Sequence, residues 1–251
     1  MSLAAIDGSM HMRTVYARNT SRRDSPGLEQ GWNALLTTYL RFGQWNNIMN
    51  DTNVVPVTNA PYADVLRAYS RGFALLHLQN DVGSELLLLQ KAQDKIIARS
   101  SMDSSGFNGM AVRLAGIANL TLTAAVLLGS SSNSSSNSST NAKLALELVS
   151  RASIAQNGWH YDEPPDWHYS IDACVGKIIF DQGSFQNAEA AYVRDLHAYP
   201  DNGWGLMGLL QTYVAQKRPQ TEIDGVRARL VKSWEHADVP LPTSSCHMFD
   251  F

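Results

Sequence analysis

Cysteine is nearly absent from this chain of 251 residues: two, Cys174 and Cys246, stand far apart. There is no CxxC pair and no dense cysteine spacing, so a disulfide framework of the small secreted kind is excluded and a reducing compartment is favoured. Long apolar runs are lacking too. The longest, "LTLTAAVLLG" (120–129) and "ELLLLQ" (85–90), fall well short of a membrane span, and "MSLAAIDGSMHM" at the start has neither a basic region nor a sustained apolar stretch. A cytoplasmic protein with no membrane partner is therefore expected. An excess of basic charge is missing as well: the formal charge is −3 and the isoelectric point is near 6.1. The cluster Arg18, Arg22, Arg23 is short and flanked by Ser, Thr and Asp. Nucleic acid is not an expected partner, since basic surface is its usual footprint. Strand signals are confined to "NVVPV", whose proline argues against a central strand. Glycine-rich phosphate loops and a GxSxG nucleophile elbow are also absent, so no cofactor and no complete catalytic motif is read.

The composition that remains, 44% hydrophobic and 17% charged, is that of a folded protein with one extended core or two small ones. Residues 1–27 are polar and end in "DSPG", which reads as a loosely ordered lead-in. From Leu28 the apolar residues recur at helical spacing, first Trp32, Leu35, Leu36, Tyr39 and Leu40, until "RFGQW" breaks the helix at Gly43 and Trp45 opens the next. Tyr62 to Leu78 reads as a helix, "QNDVG" as a turn closing on Gly83, and Ser84 to Ala98 as its partner; a further helix is expected over about 108–128. The stretch "GSSSNSSSNSSTN" (129–141) then interrupts the pattern, which resumes at Lys143. This insert is too polar to bury, and closing a long loop is cheap because its entropy grows only logarithmically with length. Deleting residues 130–140 and joining the ends by a short Gly/Ser turn is expected to leave the melting temperature nearly unchanged. The domain reading is thus a lead-in over 1–27, one helical repeat domain over 28–240 and a tail over 241–251.

The densest chemistry lies in "WHYDEPPDWHY" (159–169). Pro164 and Pro165 suit the first turn of a helix, where a missing N–H costs nothing, and Asp162 or Glu163 can cap that start. Trp167, Ile171, Cys174, Val175 and Ile178 then keep the stripe of a buried face, with Cys174 as a small core residue. The sharper alternative is a metal-binding or metal-dependent site from His160, Asp162, Glu163 and His168. Two histidines eight positions apart across two prolines do not share one helix face, so an exposed, capped helix start is preferred. Acid–base chemistry from Glu163, Asp166 and a histidine is the runner-up. "SSCHMF" (244–249) and "MHM" (10–12) hold soft ligands at expected mobile ends, and neither is a complete site.

The next stretch, "IDACVGKIIFDQGSFQNAEAAYVRDLHAYPDN" (171–202), resembles a tetratricopeptide repeat, a helix–turn–helix unit of about 34 residues. With Pro200 at the terminal proline, Gly176 and Ala188 fall on the small positions that let two helices approach, Gly183 on the turn and Tyr192 on the large aromatic. "NGWGLMGLLQTYVAQKRPQTEIDGVRARLVKSW" (202–234) is similar to a following unit with Gly208 in the small place, and Gly72 and Gly116 fit earlier units. Over residues 28–245 the chain resembles the C-terminal half of uncharacterised tetratricopeptide proteins of bacteria and some microalgae. Those relatives carry further repeats upstream, which implies a shortened form of a longer repeat protein. The resemblance implies an all-α fold, a right-handed superhelical stack of antiparallel helix hairpins, over about 28–236. Its first helices would line a concave groove that holds a protein or peptide partner without catalysis. Carried over unit by unit, the groove residues are Tyr69, Phe73, His77, Arg113, Lys177 and Tyr213.

Overall fold

The computed structural model describes residues 2–18, 26–52, 60–100, 106–131, 138–158 and 166–251. Among them the chain is all-helical, with no strand: α1 (Ser2–Arg18), α2 (Pro26–Arg41), α3 (Trp45–Asn50), α4 (Pro61–His77), α5 (Gly83–Ser100), α6 (Gly106–Ser131), α7 (Ser138–Asn157), α8 (Ile171–Asp181), α9 (Phe185–Ala198), α10 (Gly203–Ala215), α11 (Gln220–Ser233) and a 3-10 turn, His247–Phe249. Helices pack in neighbouring pairs, α1 on α2, α4 on α5, α6 on α7, α8 on α9 and α10 on α11. Contacts between pairs run from α2 to α4, from α4 to α6 and from α8 to α10.

The turns follow from backbone sterics. Gly43 after α2 and Gly183 after α8 sit at φ +64 and +76, a region that a Cβ disfavours and glycine tolerates. Gly83 does not serve the third expected turn in this way; it opens α5, and the left-handed conformation falls on Gln79 (φ 56). Between α10 and α11 the corresponding residue is Lys217 (φ 55).

Residues 1–27, expected as a loose lead-in, contain the full helix α1, while 19–25 lie outside the described residues. Polar anchors rather than an apolar stripe hold α1, which is why periodicity misses it. The buried Arg13 donates through Nη1 and Nη2 to Asp51 Oδ1 and Oδ2 (3.0 and 2.7 Å) and through Nε to the Trp32 carbonyl (3.1 Å). Ser9 Oγ meets Thr38 Oγ1 at 2.9 Å. Another helix is completed in the same way. Ala60 cannot cap α4 with its side chain, and the buried Glu29 of α2 supplies the cap from outside, its Oε2 accepting from the N–H groups of Tyr62 (2.9 Å) and Ala63 (3.0 Å). Burial raises the Glu29 pKa, and the two N–H groups oppose the rise.

Among the described residues two apolar cores result. The larger runs from Leu36, Leu40 and Ile48 through α4, α6 and α8 to Met248 and Phe249. The smaller surrounds Tyr192 with Ala188, Leu206, Leu209, Val226 and Leu230. Tyr192 is wedged between two helices that are glycine where they meet its ring: a Cβ on Gly176 of α8 would lie 2.5 Å from Tyr192 Cε1, and one on Gly208 of α10 2.2 Å away. Any larger residue at either site must displace the ring or part the helices.

Two sequence expectations shift. α7 begins at Ser138, inside the Ser/Asn insert, and Asn141 Nδ2 donates to the Leu127 carbonyl of α6 (3.4 Å). The deletion expected to be neutral therefore shortens to 132–137, which lie outside the described residues. The helix expected to start at Pro164/Pro165 starts at Ile171 instead, so the buried Trp167 and Tyr169 precede it in an irregular turn. Within α6, Gly109–Gly129 is long and apolar enough to cross a membrane, and half of that span is buried inside the fold.

Candidate functional site

The segment 243–251, expected as a tail, lies inlaid against helices from α2 to α10. Its anchor is covalent: Cys246 is bonded to Cys174 in the first turn of α8 (Cα–Cα 5.0 Å). Cys174 is buried, as the apolar stripe predicts, but it is not a free core cysteine. Linear spacing could not show this pairing, because 72 residues separate partners that only the stacking of α8 against the segment brings together. The bond also removes the argument from unpaired cysteines for a reducing compartment.

Around that anchor the segment finds partners on α2, α4, α8, α9 and α10. Thr243 accepts from Gln211 Nε2 of α10 through its carbonyl (2.8 Å). Ser245 Oγ meets the Tyr192 hydroxyl of α9 (2.8 Å) and donates to the Ala173 carbonyl of α8 (3.4 Å). His247 Nε2 donates to the Leu40 carbonyl of α2 (2.9 Å), and His77 Nε2 of α4 donates to the Met248 carbonyl (3.1 Å). A carbonyl can only accept, so both rings carry the proton on Nε2. Phe249 packs edge-on against Phe73 (5.9 Å between centroids), and Phe251 lies 5.0 Å from the His77 ring, which itself stacks on Trp45 at 4.0 Å. Asp250 pairs with Lys177 of α8 (3.2 Å) and accepts from Ser244 Oγ (3.0 Å). Burial lowers the pKa of both His77 and His247. For Lys177 burial acts in the same direction, but Asp181 and Asp250 outweigh it and hold the ammonium above its usual range.

Of the six groove residues read from the sequence, Phe73, His77 and Lys177 meet this segment. Tyr69 does not: it is buried, its hydroxyl 2.5 Å from that of Tyr169 and its ring against Phe73 and Trp167. Arg113 faces α7, donating to the Ala155 carbonyl (3.4 Å). Tyr213 lies under the Arg218 guanidinium (5.2 Å), beside Glu189. Tyr69 shares the face of Phe73 and His77 at i, i+4 and i+8, but it lies one turn further back on α4, where Trp167 and Tyr169 cover it.

Beside the disulfide a small cavity is lined by Arg41, Ser170, Asn202, Trp204 and both cysteines. Arg41 ends α2, donates through Nη1 to the His168 carbonyl (2.7 Å), and lies 4.3 Å from the Trp204 ring centroid. Burial lowers its pKa, and the charge of Asp195 opposes that. Asp195 itself is buried, which pushes its carboxyl up to about 6 even though Asn202 Nδ2 donates to both its oxygens (3.0 Å each).

His160, Asp162 and Glu163 lie outside the described residues. Among the described residues no group of three His, Cys, Asp or Glu side chains could hold a metal ion. His168, expected on an exposed helix start, packs against Tyr69, Trp167 and Tyr169. Burial, aided by the Arg41 charge, depresses its pKa to about 3. A histidine neutral in the fold and protonated in the unfolded chain contributes stability that is present above pH 6.5 and lost as the pH falls toward about 3. His168→Gln is expected to flatten that loss, read as a smaller difference between urea unfolding curves at about pH 7 and about pH 4. Equal acid sensitivity in variant and wild type would contradict it.

The chain matches no known family model, no curated protein and no solved structure.

Proposed function

We propose that this chain is a non-catalytic scaffold that holds an extended peptide against the faces of its first helices, in the manner of a tetratricopeptide-like solenoid. One observation carries the reading: the fold already accommodates an extended segment, 243–251, through side chains that three of the sequence-derived groove positions provide. Backbone carbonyls of the segment accept from His77 and Gln211, so part of the recognition is independent of the occupant's sequence. Phe73 and Lys177 add a demand for an aromatic ring followed by a carboxylate. The Tyr192 wedge between Gly176 and Gly208 supports a repeat of the kind the sequence resembles, because the same small-residue position recurs on α8 and α10.

The test uses the full chain with its own segment disabled by Cys246→Ser, Phe249→Ala and Phe251→Ala. A fluorescent peptide of residues 243–251, carrying serine in place of Cys246, should bind this open variant saturably. Adding Lys177→Glu should weaken it by about tenfold, since truncating or reversing one partner of a partly buried charge pair costs 1.4 kcal/mol or more. An open variant that is folded by circular dichroism and binds no peptide would sink the reading.

A further inference from the structure

The bond between Cys174 and Cys246 has the placement of a releasable latch. It joins the segment to α8 directly, while the remaining contacts of the segment are hydrogen bonds, ring contacts and one ion pair to groups that line its bed. Those contacts reach several helix pairs, and Met248 and Phe249 of the segment belong to the large core, but α8 also packs on α7, α9 and α10 through its own residues. Both cysteines line the small cavity that also holds Arg41, and both are buried, so a thiol reaches the bond only as the segment lifts locally from its bed.

The local chemistry sets the direction of exchange. Cys174 is the fourth residue of α8, within the first turn, where unsatisfied N–H groups and the helix dipole stabilise a thiolate. The buried guanidinium of Arg41 on the same cavity adds positive charge. Cys174 is therefore the better leaving group, and attack falls on Cys246.

Resting on the scaffold reading above, we propose that a dithiol reductant cleaves the Cys174–Cys246 bond, releases segment 243–251, and opens its bed to an extended peptide bearing an aromatic ring followed by a carboxylate. In the first step a thiolate of the reductant bonds to Sγ of Cys246 and Cys174 departs as a thiolate. The second thiolate of the reductant then attacks its own sulfur in the mixed disulfide, and Cys246 leaves and takes a proton from water. The protein bond gains two electrons, and the reductant becomes a disulfide. While the bond is closed, the built-in segment is held at an effective concentration no free peptide can match; once it is open, the segment competes only through its flexible tether.

The experiment treats the full wild-type chain with dithiothreitol under native conditions, with thiols titrated to confirm reduction. Hydrogen exchange at 243–251 and anisotropy of the serine-substituted peptide are read before and after. Reduction should strip protection from the segment, leave the helical circular dichroism intact, and raise peptide affinity by on the order of 100-fold. Cys174→Ser should show the reduced behaviour whatever the redox state. A reduced chain that keeps its segment protected, that excludes the peptide, or that unfolds altogether would overturn the latch, as would a bond that resists the reductant in the folded state. The open variant separates the two ideas: if it binds peptide and the reduced wild type does not, the latch fails and the scaffold stands.

Discussion

Replacing Trp167 by alanine should lower stability by about 3–5 kcal/mol, the range for deleting a large buried aromatic. The side chain is 3% exposed and its ring meets those of Tyr69 at 5.4 Å, His168 at 4.7 Å and Tyr169 at 5.7 Å. It closes the large core at the point where the chain leaves α7 and has not yet begun α8, so no neighbouring turn of helix can collapse into the space. Trp167→Phe retains an aromatic plug and should lose less than half as much. Denaturant midpoints of the two variants at constant slope check the expectation. A loss under about 1 kcal/mol for Trp167→Ala would place the residue at the surface and contradict the packing described here.

Asp51→Ala should cost a comparable 3–5 kcal/mol, because it strands the Arg13 guanidinium in a site where the arginine and aspartate side chains are 10% and 4% exposed. The double change Arg13→Met with Asp51→Ala should recover much of that loss, since no charge is then left without its partner. The pair also reports on α1: if the helix docks through Arg13, as its bonds to Asp51 and the Trp32 carbonyl indicate, either single variant should loosen residues 2–18 to hydrogen exchange before the rest of the protein. Single and double variants of equal stability would mean that α1 is held by something else.

α1 illustrates one limit of sequence reading. Its outward positions include Leu3, Met10, Met12 and Val15, so no apolar face distinguishes it, and its attachment is a buried ion pair whose halves are 38 residues apart. Glu29 presents the same difficulty: as part of α2 it reads as one more polar residue, and only the approach of α4 turns it into a cap. By contrast α2, α4, α5 and α8 carry Leu36, Tyr62, Val65, Leu89, Ile171 and Val175 at helical spacing, all of them buried. The candidate site divides likewise. Phe73, His77 and Lys177, which the repeat resemblance implies as groove positions, meet segment 243–251, whereas the segment itself reads as a tail although it holds Met248, Phe249 and Phe251.

From the sequence alone, helical periodicity and glycine sterics determined the helical class and the breaks at Gly43 and Gly183, since each depends on residues within a few turns of one another. Tertiary structure alone decided the Cys174–Cys246 bond, the ion pair of Arg13 with Asp51, the burial of His168, and the course of segment 243–251 against helices from α2 to α10. The reason is physical: burial periodicity is a property of one helix, but a covalent or polar contact between distant residues exists only once stacking has fixed where each helix face points.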